Sequence, residues 1–150
     1  MLSKWNQRGF TLIEILVVIT LILIIAGIAL PRFAGVSAEG KKAKAAGELK
    51  TLQTALDAYL LKPGASVPAD WGTLKTELQD ATPRLIGNVD SFEDPFKKET
   101  NYGYAKGGTE YYVIYSVGPK DKTVTINAEG DVTPGDETIY VTNGQLPDAP

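Results

Sequence analysis

An α+β fold is predicted, in which one long N-terminal helix is laid against a small antiparallel sheet. Three observations point to it. A 21-residue apolar run, Phe10 to Leu30, stands near the start of the 150-residue chain. The periodicity from Val36 to Leu61 then turns amphipathic, with Ala45, Leu49, Leu52, Leu56 and Tyr59 recurring every three or four residues. Beyond residue 100 the period changes to two, in runs rich in aromatic and β-branched residues.

The apolar run spans roughly 31 Å as a helix, the thickness of a bilayer hydrocarbon core. Lys4, Arg8 and Gly9 precede it, and Glu14 lies inside it. A carboxylate within a membrane-length segment is costly and generally marks function. A glutamate at the headgroup boundary is the plainer reading. A cleavable secretory signal competes for the whole region, since Lys4 and Arg8 form a basic start and Val36-Ser37-Ala38 a small-residue cleavage site. The run exceeds the usual signal core of about 7–15 residues, and an early glutamate is out of keeping with a disposable segment. Counted literally, Arg32, Lys41, Lys42 and Lys44 after the run outweigh Lys4 and Arg8 and would hold the globular part in the cytoplasm.

Pro31 either kinks the helix or stops it at the membrane exit, and Gly27 adds flexibility. The helix is expected over residues 10–61, apolar all round in its first half. In the second half Lys41, Lys42, Lys44, Glu48, Lys50 and Asp57 occupy the faces outside that stripe. Lys62-Pro63-Gly64 ends it.

Asp70 is the expected N-cap of a short helix through Leu78, with Leu74 and Leu78 inward. Residues 81–98 read as loop. Glu110 to Val117 is the principal strand, and the period-2 context of Tyr111, Tyr112 and Tyr115 points to packing rather than a cofactor role. Thr123–Ile126 and Val132-Thr133 form a hairpin around Ala128-Glu129-Gly130. Thr138–Thr142 is a last short strand, and 144–150 a loose tail.

Composition narrows the function classes. The chain has no cysteine and no histidine, which excludes a disulfide framework, thiolate metal sites and the commonest general base. A net charge of −3 carries no nucleic-acid footprint. No nucleophile–base constellation is recognisable, so an enzyme is not expected.

The basic leader, Gly9, Phe10, Thr11, Leu12, Glu14 and the run ending at Pro31 resemble a type IV prepilin leader and helix. The resemblance implies cleavage by a prepilin peptidase between Gly9 and Phe10 and N-methylation of Phe10. It implies residues 1–9 as leader, 10–30 as transmembrane and assembly helix, 31–62 as amphipathic half and 63–150 as periplasmic domain. The leader would face the cytoplasm, the reverse of the literal charge count. Residues 10–150 carry 13 basic and 18 acidic side chains, a net −5. Cleavage would create an amine at Phe10, one turn from Glu14, able to pair with it within a chain or between subunits and so set their stagger.

Asp94-Pro95-Phe96, the strand, and Ser116-Val117-Gly118 are similar to the major pseudopilin of type II secretion. That likeness implies a homopolymeric periplasmic fibre at the inner membrane. Minor pseudopilins, an assembly ATPase and a membrane platform would be its partners, in driving protein export. It also implies calcium as a candidate cofactor, at the Val117 carbonyl, Asp121, Asp136 and Glu137. Against it stand the shifted position of Asp121, the insert 123–133 and the plainer reading of a solvated acidic loop. A surface type IV pilin and a membrane-anchored binding protein that never polymerises are the alternatives.

Overall fold

The computed structural model describes residues 10–146, without the side chains of 29–34. The leader 1–9, including Gly9, and residues 147–150 lie outside the described residues. The chain divides into two units, Met1–Ser37 and Ala38–Pro150.

Helix α1 runs Leu12–Leu60 as one element, so position 31 lies inside it and does not end it. Pro31 is among the residues whose side chains are not described. In the first unit the large apolar side chains from Leu12 to Ile28 are 49–83% exposed. Thr20, polar within this stretch, donates its hydroxyl to the Leu16 carbonyl at 2.8 Å and so hides its donor. Among the described residues no helix is long and apolar enough to cross a membrane. The stretch with described side chains ends at Ile28 and spans roughly 26 Å, while the apolar run of the sequence continues to Leu30.

In the second unit α1 buries Ala45, Leu49, Leu52 and Leu56 of the predicted stripe, with Tyr59 half-buried beside them and Ala55 buried in addition. Helix α2, Trp71–Asp80, follows, with Leu74 and Leu78 fully buried. Its N-cap is Asp70, whose Oδ1 accepts from the Thr73 N–H at 2.8 Å and the Thr73 hydroxyl at 3.1 Å. Residues 81–98 are mostly irregular, with a short 3-10 turn at Val89–Ser91.

Strands β1 (Gly103–Gly107), β2 (Tyr111–Ser116) and β5 (Ile139–Thr142) form an antiparallel sheet in the order β1-β2-β5. Strands β3 (Thr125–Ile126) and β4 (Val132–Thr133) form the expected hairpin as a separate two-stranded sheet. Register alternates the side chains of β2. Tyr112 and Ile114 join the core with α1 and α2. Val113 and Tyr115 join a second cluster with Val124, Ile126, Val132 and Tyr140. The three-stranded sheet is therefore covered on both faces.

At three places the structure adds to expectation or departs from it. β1 lay in a stretch not assigned to strand. Its glycines are there for space: a Cβ on Gly103 would sit 2.2 Å from the Tyr115 ring, and one on Gly107 2.3 Å from the Asn127 carbonyl. Glu48, half-buried, and Asp57, exposed, lie outside the apolar stripe as expected, but both still meet the domain. They accept from the hydroxyls of Tyr102 and Tyr112, each at 2.6 Å. The C-terminal segment is held as far as Gln145, whose N–H donates to Gly130 O at 2.7 Å and whose carbonyl accepts from Val132 N at 3.3 Å.

Candidate assembly motif and candidate cation loop

Thr11 and Glu14 form a reciprocal cap at the start of α1. The Glu14 Oε2 accepts from the Thr11 N–H and hydroxyl, both at 3.1 Å, and the Thr11 Oγ1 accepts from the Glu14 N–H at 3.2 Å. This is a capping box, Thr-x-x-Glu before an apolar run. The signal stood in the sequence beside the motif that drew attention to Glu14. Two exposed helix-start donors are satisfied, and the carboxylate sits where the helix dipole favours negative charge. Thr11 is thus the hydrogen-bond partner of Glu14 in the uncleaved chain, and Phe10 is 82% exposed.

In the second unit a buried carboxylate organises the loops. Asp94 is 2% exposed. Its Oδ1 accepts from the Ser116 hydroxyl at 2.8 Å and the Phe96 N–H at 2.9 Å, and its Oδ2 from the Val117 N–H at 2.9 Å. The Asp94 N–H in turn donates to Thr100 O, and Lys97 N–H to Asp94 O. One side chain thereby fixes the Asp-Pro-Phe turn to the end of β2, the side-chain-to-backbone geometry that favours Asp in turns. Sequence reasoning singled out the motif without this role.

The four candidate calcium ligands are already engaged. The Val117 carbonyl accepts from the Lys122 N–H at 3.0 Å. Asp121 pairs with Lys97 at 3.1 Å. Lys120 reaches both Asp136, at 2.5 Å, and Glu137, at 3.0 Å. Its hydrogen bonds to Asp136 and then Glu137 raise the Lys120 pKa, and the same bond from Lys120 holds the Asp136 carboxyl below the ordinary range. The loops touch at backbone level: a Cβ on Gly118, at φ +66°, would sit 2.1 Å from the Glu137 carbonyl oxygen. Among the described residues no group of three or more Asp or Glu side chains is placed to hold a metal ion. As arranged, these residues do not make the six- to eight-oxygen shell that calcium takes.

Comparison with known proteins addresses the N-terminus most directly. Residues 6–30 match the prokaryotic N-terminal methylation motif. The chain is 39% identical over 59 residues to the type II secretion system core protein G of Pectobacterium carotovorum subsp. carotovorum, covering 39% of this chain and 38% of that one. It is 44% identical over 56 residues to the protein of the same name from Escherichia coli (strain K12), covering 37% and 39%. These alignments thus span about two fifths of the length of either relative. The type IV major fimbrial protein FimA of Dichelobacter nodosus aligns more broadly, 28% identical over 128 residues, 84% of this chain and 81% of that one. No solved structure matches the chain.

Proposed function

Because this chain is pilin-like, in its methylation motif and in its α+β plan, we propose that it is a filament subunit that polymerises through residues 10–30. One observation carries the reading. The large apolar side chains from Leu12 to Ile28 are 49–83% exposed, uncovered among the described residues. Such a surface needs lipid or other apolar helices around it, and a subunit held in the membrane and then drawn into a fibre core meets each in turn. Cleavage between Gly9 and Phe10 by a prepilin peptidase, with methylation of Phe10, would free the amine that competes with Thr11 for Glu14. Exchange of the Thr11 contact for a neighbour's Phe10 amine would neutralise both charges and set subunit register. The catalytic role is nil, and the inner-membrane platform and assembly ATPase are the partners this reading requires.

The finer assignment is the major subunit of a periplasmic pseudopilus that drives protein export. The Asp94 staple between Asp-Pro-Phe and Ser-Val-Gly, and the absence of cysteine in the sequence, support it. The surface-fibre reading has one observation of its own, the broader alignment with FimA. Deleting the gene separates them. Loss of exported proteins with surface fibres intact supports the pseudopilus, and loss of surface fibres with export intact defeats it. N-terminal sequencing and intact mass of the membrane-extracted protein test the shared premise. A methylated Phe10 start is expected, and a start at Glu39 would sink it.

A further inference from the structure

We propose that the ammonium of Lys120 takes the place of a divalent cation between the loop after β2 and the turn before β5, so that this region folds without calcium. Three segments meet there: 94–98, 117–122 and 135–138. Each is tied by groups of the chain itself. Asp94 binds the first to the second through Ser116 and Val117. Lys97 reaches from the first to Asp121 in the second. Lys120 reaches from the second to both Asp136 and Glu137 in the third.

The closure is also enforced by backbone. Gly118 packs against the Glu137 carbonyl, and a Cβ on Gly135 would stand 2.7 Å from the Thr123 carbonyl oxygen. The Val117 carbonyl is committed to the Lys122 N–H, and the Gly118 carbonyl to the Asp121 N–H. Adjacent carboxylates at 136 and 137, converging on one point, repel each other unless a cation lies between them. Lys120 supplies that cation on a tether, at 2.5 and 3.0 Å from the two. A tethered lysine needs no free ion and is insensitive to chelators, unlike a carboxylate cage.

The full chain in detergent micelles tests this by amide exchange and thermal unfolding, in calcium at about 5 mM, above the 10⁻⁴–10⁻³ M range of weak extracellular sites, and in excess chelator. Wild-type protein is expected to show the same Tm and the same protection of residues 117–122 and 135–138 in both. Lys120→Ser in chelator should lose roughly two- to fivefold of the protection at 135–138, the range typical of exposed ion pairs. Lys120→Arg, which keeps the cation, should retain it. A rise in wild-type Tm or loop protection on adding calcium overturns the proposal. So does Lys120→Ser with protection unchanged.

Discussion

From Leu12 to Ile28, α1 keeps its large apolar side chains 49–83% exposed, whereas from Ala45 to Leu56 the same helix buries Ala45, Leu49, Leu52 and Leu56 completely. Leucine and isoleucine dominate the first segment, leucine and alanine the second, so residue type alone does not distinguish them. Spacing does. An all-round apolar helix has no face to give to a small domain, while a three-and-four pattern offers one stripe and leaves the rest to water. On the proposed function the first segment depends on what it meets outside its own chain, whereas the second packs into its own fold. Substitution should separate the two. Leu52→Ala removes a side chain packed in the core and should lower domain stability by about 3 kcal/mol, read by chemical denaturation in micelles. Ile19→Ala should shift that transition by less than about 0.5 kcal/mol while reducing incorporation into filaments. Equal destabilisation by both would end the distinction.

Within the domain, the carboxylates divide in a similar way between those that hold structure and those that sit in solvent. Asp94→Ala would leave the Ser116 hydroxyl and the Phe96 and Val117 N–H groups without their acceptor. A loss of about 2–3 kcal/mol is expected, with Asp94→Asn recovering part of it. A loss below about 0.5 kcal/mol, the scale of an ordinary surface change, would show that the loops are held by other means.

What could be read in advance follows from the range of the interactions. The α1 stripe, the Asp70 cap, Leu74 and Leu78, the β3–β4 hairpin and the strands at 111–116 and 139–142 are all written in local periodicity or turn chemistry. β1 escaped because its glycines at 103 and 107 have low strand preference and are explained only by Tyr115 and Asn127, partners 12 and 20 positions away. Charge places Glu48 and Asp57 outside the stripe, where Asp57 is exposed and Glu48 half-buried, but does not give their contacts. Their tyrosine partners lie 54 and 55 residues on, and nothing local announces the pairing. Val117, Asp121, Asp136 and Glu137 are drawn into one neighbourhood, but the lysines that meet them were not anticipated. The Thr11 capping box is different in kind, a local signal present in the sequence and overshadowed by the larger meaning of Glu14.

The tyrosine–carboxylate pairs are the next lever. Burial, reinforced by Glu48 beside Tyr102 and by Asp57 beside Tyr112, raises both phenol pKa values, and burial, with a smaller contribution from Asp70, raises that of Tyr104. A raised folded-state pKa means that the native chain holds the proton more tightly than the unfolded one. Stability is then fully present below the unfolded phenol value of about 10 and declines as pH rises above it. Domain Tm should be flat to that point and fall beyond it. Glu48→Gln should cost about 1 kcal/mol at neutral pH and soften the alkaline fall. A Tm unchanged well above pH 10 would show that these hydroxyls are reached by solvent. Substitutions in the apolar segment should leave the profile where it is.

The smallest effects come from the two helix caps, and they return to the contrast within the chain. Asp70 caps α2 inside the folded domain, and Thr11 caps α1 where its side chains are exposed. Asp70→Ala should lower domain Tm by roughly 2–4 °C. The Thr73 N–H and hydroxyl bonds hold the Asp70 pKa below the ordinary carboxylate value. Its contribution is therefore present above about pH 4, the unfolded value, and is lost as pH falls through the lower folded one. The Asp70→Ala deficit should shrink correspondingly in acid. Thr11→Ala removes as many hydrogen bonds to a helix start, yet should leave the domain transition unmoved at every pH. Its effect should appear as lower helicity of the first turn and, on the proposed exchange, as altered assembly, because Glu14 would then reach a neighbour's amine without first releasing Thr11. A Thr11→Ala variant whose domain melts earlier would mean that the two ends of α1 are energetically coupled, and the division between them would fail.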